Sequence, residues 1–199
     1  MKQRQYNSYD DYLAEQKRRT LDSKEVSFCI NPRQWEKDKT YFYEWFKILE
    51  TEKILDIKDK KILCLGARYG CEVEALLDLG CHAIGLDLIP RLPFVIKGDW
   101  HNLYFKDESY DLVYSNALDH VLYFDKFLSE IERVLKPNGI VFFQLPLGQG
   151  TNPIGGECSC IGTPNDIISL MTNFNVVWSG KQKNRGNQNW SLVLKKGKP

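Results

Sequence analysis

Two groups of residues in this chain have types and spacings suited to chemistry. The first is Gly66, Gly70 and Asp87. Gly66 ends the apolar run Ile62-Leu63-Cys64-Leu65. Gly70 then opens a helical pattern of Val73, Leu76, Leu77 and Leu79, which Gly80 stops. A helix entered this way presents unbonded main-chain N–H groups and the positive end of its dipole. Glycine also lets a ligand come close to the backbone. Asp87 ends the next apolar run, Ala83 to Leu86. It follows the turn by about 20 residues, the separation that sets a carboxylate on a ribose hydroxyl pair. The glycine spacing is G-x-x-x-G with Arg68 inside it, not G-x-G-x-x-G, and no Gly-Lys-Ser/Thr follows. The turn therefore holds a ribose, with or without phosphate. The second group is Asn116, Asp119 and His120, just past the run Asp111 to Ser115, where reacting groups project in open α/β sheets. Histidine titrates nearest neutrality of all side chains, so His120 is the candidate general base. Its other reading is a contact with a bound cofactor. His101 is a weaker candidate. Cys158-Ser159-Cys160 has neither a second cysteine pair nor a nearby histidine, so no metal site is expected.

Four segments carry a resemblance when taken in order. They are Leu65-Gly66-Ala67-Arg68-Tyr69-Gly70, then Gly85-Leu86-Asp87, then Gly98-Asp99-Trp100, and then Tyr110 to Val121 with Phe127 to Gly139. Over residues 60 to 147 the chain resembles a class I S-adenosylmethionine-dependent methyltransferase. The resemblance implies S-adenosyl-L-methionine as cofactor. It places Gly66, Ala67, Arg68 and Gly70 along the amino-acid and ribose parts, and Asp87, with Leu88 beside it, on the ribose hydroxyls. It places Asp99 on the adenine amino group, Trp100 against the ring, and Ser115 and Asn116 at the end of the fourth strand. Arg68 faces either the cofactor carboxylate or solvent. Cys64 stands where the family commonly has an acid that helps hold the ammonium group. Asn116 does not begin the Asn-Pro-Pro-aromatic motif of base and amide methyltransferases. Methyl transfer from a sulfonium needs positioning and exclusion of water more than a fixed catalytic motif, so His120 is the single catalytic candidate.

The elements that must hold these residues are legible in outline. Strands are expected at 61–65, 82–87, 94–96, 111–115 and 140–145, and a helix at 69–79. The second and third strands are separated by Leu88 to Pro93 alone, too short for a crossover helix. Either an extended link carries the chain back, or the third strand is short or displaced. Asp125 is expected to cap a helix that buries Phe127, Leu128, Ile131, Val134 and Leu135, with Pro137-Asn138-Gly139 stopping it. A glycine-rich loop (Gly148, Gly150, Gly155, Gly156, Gly162) is expected to wall an acceptor pocket. Thr163-Pro164 then opens a helix with Ile167, Ile168 and Met171 on one face. The runs Val176 to Trp178 and Trp190 to Leu194, joined by the polar Lys181 to Asn189, read as a closing hairpin.

Ahead of this, Asn31-Pro32 opens a helix to about residue 51, with Trp35, Phe42, Trp45, Phe46 and Leu49 on one face. It packs on the sheet or covers the substrate. Ser8 is a candidate start for an earlier helix to about Arg19; the alternative is a polar tail. The expected architecture is a Rossmann-like, doubly wound α/β sheet, mostly parallel with a C-terminal antiparallel strand. A helical extension (1–57) precedes an S-adenosylmethionine-binding domain (58–199).

The 199 residues are 43% hydrophobic and 13% aromatic, enough for a real core, and the net charge is +1. That charge gives no case for nucleic acid or an anionic membrane. No apolar run approaches the ~20 residues of a membrane span. The polar amino terminus is not a secretory signal, and the six cysteines read as small buried hydrophobes. A cytoplasmic methyltransferase with a small-molecule acceptor is the expectation. A nicotinamide-dependent oxidoreductase and a non-catalytic scaffold of the same fold are the rivals.

Overall fold

Lys61-Ile62-Leu63-Cys64-Leu65 forms strand β2, and all but its first residue are buried. So continuous an apolar run suits a strand covered on both faces. β2 pairs in parallel with β3 (His82–Asp87). β3 in turn pairs in parallel with β4 (Val95–Lys97). The computed structural model describes residues 1–22, 31–90, 93–147, 158–181 and 190–197. Cys29, Arg91-Leu92, the glycines from 148 to 156 and the connector 182–189 lie outside the described residues.

The chain divides into two compact units, Tyr6–Asp99 and Met1–Gln5 with Trp100–Pro199. In the first, the strand order is β4-β3-β2. Its helices are α1 (Tyr9–Asp22), α2 (Pro32–Thr51) and α3 (Cys71–Asp78). α2 begins where Asn31 and Pro32 require: the Asn31 side chain accepts from Arg33 N–H, and proline occupies the first turn. Phe42, Phe46 and Leu49 are its buried face. Ser8 does open α1, its Oγ accepting from Asp11 N–H at 3.1 Å.

The link from β3 to β4 shows why no crossover helix is needed. Asp87 lies opposite Lys97 and Gly85 opposite Val95. The third strand is thus short, and residues 88–94 carry the chain back by only two strand residues, about 7 Å.

In the second unit the order is β5-β6-β9-β8, with β5 (Tyr110–Ser115) and β6 (Leu135–Leu145) parallel. β9 (Trp190–Lys196) is antiparallel to both β6 and β8 (Phe174–Lys181). The closing antiparallel pair is as expected. α4 (Phe124–Val134) buries Phe127, Leu128, Ile131 and Val134. Asp125 does not cap it: the cap position is Tyr123, without a side-chain bond, and Asp125 lies in the first turn, where its charge meets the helix dipole. Pro137 lies two residues past the C-cap at Leu135, where a stopping proline is expected. The helix ends at Val134, where Lys196 Nζ donates to the carbonyls of Glu132 (2.6 Å) and Leu135 (3.0 Å). Leu135 already pairs with Tyr110, and Lys136–Gly139 bulge out before Ile140 resumes opposite Leu112. The helix after Pro164 is α5, four residues only (Asn165–Ile168). Asp166 Oδ2 accepts from Gly162 and Thr163 N–H there and tightens the turn.

The first residues contribute a strand that local pattern did not reveal. β1 (Lys2–Gln3) pairs antiparallel with β7 (Ser159–Cys160), Lys2 opposite Cys160.

Arg133 organises the segment leading into β5. Its Nη2 donates to Leu103 O, its Nη1 to Phe105 O and Asp107 Oδ1, and its Nε to Glu130 Oε1. The guanidinium holds the Glu130 carboxyl below the usual glutamate range. The folded chain therefore binds that proton less readily than the unfolded one. This contribution is complete above the unfolded value, about 4.3, and is lost as pH falls through the folded one. Glu130→Gln is expected to flatten the acid limb of a plot of Tm against pH while leaving its shape above pH 6 unchanged, as thermal unfolding by circular dichroism would show.

Candidate cofactor site

The glycine turn is built from both ends. Gly66 and Gly70 have φ of 74° and 75°, conformations that favour glycine. Gly66 N and Ala67 N donate to Leu86 O at 2.9 and 3.3 Å, and Gly70 N donates to Ala67 O at 2.7 Å. These bonds fold the chain after β2 over the end of β3. Arg68, also at positive φ, gives its N–H to Asp87 Oδ2 at 3.0 Å, and its guanidinium lies over the Tyr69 ring. Ile89 N–H binds the other Asp87 oxygen, Oδ1, at 2.9 Å. The Asp87 carboxylate is therefore fixed at the carboxyl end of β3, beside the turn, with Leu88 following it. Gly98 N–H donates to Asp87 O at 3.0 Å, which sets Asp99 two residues beyond the end of the neighbouring strand. Asp99 Oδ2 accepts the Tyr9 hydroxyl at 2.5 Å.

Gly85 lies beneath the turn. A Cβ there would stand 2.8 Å from Ala67 Cβ and 3.0 Å from both Val73 Cγ2 and Val95 Cγ2. Ala67 Cβ is fixed to the turn backbone and cannot rotate away. Gly85→Ala is expected to destabilise the chain by about 2 kcal/mol. By lifting the turn it should also weaken binding of S-adenosylhomocysteine more than tenfold. Thermal unfolding and calorimetry on the same sample would read the two effects.

Helix α2 bears on the same turn. Trp35 Nε1 points at Tyr69 O, 3.5 Å away. One turn on, Lys39 Nζ bridges Glu74 (2.9 Å) and Asp78 (2.8 Å) of α3, and those bonds raise its pKa. Glu74 and Asp78 lie four apart, on one face of α3, so this pairing had a local signal that sequence reasoning passed over. Cys64, at the position of the family's acid, is fully buried, and burial pushes its thiol well above the usual range. It offers no charge to an ammonium group.

In the other unit, Ser115 ends β5, fully buried, with its Oγ accepting from Ala117 N–H at 3.3 Å. Asn116 follows, and a 3-10 turn (Leu118–His120) carries His120, whose Nε2 is 3.9 Å from Asp119 Oδ2. Four bonds fix this stretch and what lies against it. Cys158 N donates to Asp119 O (2.6 Å), Ser159 Oγ to Val121 O (2.9 Å), Gln3 Nε2 to Leu122 O (2.8 Å), and Arg4 N to Cys158 O (2.7 Å). The residues of the Cys158-Ser159-Cys160 motif are buried and serve this packing. No group of metal-ligating residues occurs among the described residues. Trp100 packs edge-on against Phe127 and His101. His101, the weaker of the two histidine candidates, is buried, and its Nε2 accepts Tyr123 N–H at 3.3 Å.

The family model described as a methyltransferase domain matches residues 63–143, from the middle of β2 into β6. Among solved structures, the Burkholderia thailandensis 1,6-didemethyltoxoflavin-N1-methyltransferase is similar in fold. It has a TM-score of 0.71 and 16% identity, over 98% of this chain and 92% of that one. Residues 63–143 thus match a methyltransferase domain, on the fold of solved S-adenosylmethionine-dependent methyltransferases. A methyltransferase from Methanosarcina mazei gives a TM-score of 0.58 at 17% identity, over 75% of this chain and 98% of its own. At these identities the likeness is one of fold: Rossmann-like, mostly parallel, with an antiparallel pair. The phthiotriol/phenolphthiotriol dimycocerosates methyltransferase 1 of Mycobacterium ulcerans is 43% identical over 56 residues, 28% of this chain and 20% of that protein. The chain thus matches only about a fifth of the length of that curated relative. S-adenosyl-L-methionine is the cofactor of the family, and the Burkholderia structure holds S-adenosylhomocysteine. The methyltransferase domain displaces the nicotinamide reading of the glycine turn. No helix among the described residues is long and apolar enough to cross a membrane.

Proposed function

We propose that this chain transfers a methyl group from S-adenosyl-L-methionine to a small-molecule acceptor. The observation that carries the reading is the Asp87 carboxylate, clamped by the N–H groups of Arg68 and Ile89 at the end of β3. The two N–H groups fix the carboxylate in place, and a carboxylate is the charged acceptor that suits a vicinal diol. The residues present thus fit a ribose. Asp87 takes the two ribose hydroxyls, with Leu88 beside them. Gly66, Ala67, Arg68 and Gly70 line the amino-acid side, and Asp99 takes the adenine amino group. Trp100, Ser115 and Asn116 keep the roles toward the cofactor that the resemblance gives them. When bound, the cofactor supplies a sulfonium methyl, an electrophile open to in-line displacement. The chain's own part is to orient the acceptor, keep water out and, where the acceptor must lose a proton, receive it at His120.

A small acceptor is supported by the Burkholderia neighbour, whose structure holds 1,6-didemethyltoxoflavin and whose fold covers 98% of this chain. A net charge of +1 makes no electrostatic case for a nucleic-acid partner. The cysteines Cys64, Cys71, Cys81, Cys158 and Cys160 are free thiols, in keeping with a cytoplasmic setting. Residues 1–57 form an extension ahead of the binding domain 58–199.

The test is calorimetric titration with S-adenosylmethionine, S-adenosylhomocysteine and NAD, followed by a methyl-release assay against a panel of small amine, hydroxyl and thiol nucleophiles. Micromolar binding of the two sulfur compounds with none of NAD is expected, then turnover of at least one nucleophile class. Binding of NAD alone, or of none of the three, would sink the reading.

A further inference from the structure

The geometry points to Tyr9 of helix α1 as a positioning residue for adenine recognition, acting through Asp99. This rests on the reading of Asp99 as the partner of the adenine amino group. The Tyr9 hydroxyl donates to Asp99 Oδ2 at 2.5 Å, across ninety positions of sequence. The hydroxyl is held there by packing. The Tyr9 ring lies 5.4 Å from the ring of Tyr12, which is 1% exposed, and Tyr6 meets Tyr12 edge-on at 5.6 Å. Ser8 caps the same helical turn. On the other side, Gly98 N–H on Asp87 O fixes the backbone just before Asp99. A carboxylate on a short turn after a three-residue strand would otherwise rotate about χ1 and χ2. A phenol bound to Oδ2 fixes its plane and aims Oδ1 at a second donor. A 6-amino purine supplies such a donor. A 6-oxo purine would set an acceptor against the carboxylate. Helix α1 therefore contributes to selectivity for the adenine base, a part that nothing in the glycine turn supplies.

The experiment measures Kd for S-adenosylhomocysteine and for its 6-oxo analogue S-inosylhomocysteine, on wild type, Tyr9→Phe, Asp99→Asn and the double variant. Thermal unfolding of each serves as a folding control. Wild type should prefer the adenosyl compound. Tyr9→Phe keeps the ring and its packing on Tyr12, and should weaken adenosyl binding about tenfold, the worth of one hydrogen bond to a charged group. It should leave the inosyl compound unchanged, so that discrimination falls by the same factor. Asp99→Asn should lose the discrimination, and adding Tyr9→Phe to it should cost nothing more. Equal weakening of both ligands by Tyr9→Phe, or unaltered discrimination, would overturn the role of Tyr9 while leaving Asp99 in place. Wild type that binds both ligands equally would remove Asp99 from the adenine and this inference with it. Wild type that binds neither would overturn both, together with the cofactor reading itself.

Discussion

Asp87→Ala is expected to raise the Kd for S-adenosylhomocysteine at least about a hundredfold, since two hydrogen bonds to a charged acceptor are worth about 3 kcal/mol or more together. Two effects add. The ribose hydroxyls lose their acceptor, and the N–H groups of Arg68 and Ile89 lose theirs, so the turn loosens as well. Ligand chemistry separates them. A 2′-deoxyribose analogue of S-adenosylhomocysteine should bind wild type much more weakly than the parent, whereas Asp87→Ala should bind the two alike. Asp87→Asn keeps the shape and one acceptor oxygen, and should fall between. Calorimetry reads all of this directly. An Asp87→Ala variant within threefold of wild type would leave Asp87 as a clamp of the turn and nothing more.

Arg133→Ala should give the largest loss of stability of any single polar substitution considered. The side chain is 30% exposed, yet its guanidinium makes bonds of 2.7–2.9 Å to two main-chain carbonyls and two carboxylates. Removing it strands the carbonyls of Leu103 and Phe105 and leaves Glu130 with only the Leu103 N–H among these partners. The expected cost is about 3 kcal/mol, or a fall in Tm on the order of 10 °C. Arg133→Lys should recover less than half, because an ammonium cannot span the same fork of acceptors. Urea unfolding with an unchanged m-value would assign the loss to stability. A Tm within 2 °C of wild type would show that water replaces these bonds at little cost.

What the sequence made legible was local. Strands 61–65 and 82–87 and the helix 32–51 coincide with the expected bounds, because each rests on an apolar run or a cap whose signal is complete within a few residues. The glycine turn and Asp87 were visible for the same reason. The errors came where a tertiary contact decides. Lys196 satisfies the end carbonyls of α4 from sixty-four positions away, which no local pattern announces. Tyr123, not Asp125, precedes the first helical turn because the chain enters there extended, with ψ of 92°. Tyr9 on Asp99, Arg133 on residues 103 to 107, and Gln3 on Leu122 leave no periodic trace, since neither partner is special without the other.

The pairing of residues 2 and 3 with 160 and 159 bears on how this chain is made. All of Tyr6–Asp99 lies between the two pieces of the unit that this pairing joins. During synthesis residues 2 and 3 must wait for residues 159 and 160 before they can pair. Closing so long a loop is entropically costly and slow. The pairing of β1 is thus a late event compared with the local pairing of β2 and β3. Because Arg4 N–H and the Gln3 amide reach Cys158 and Leu122, that late event also completes the surroundings of His120. A nascent chain can finish its glycine turn well before the surroundings of its candidate base are complete.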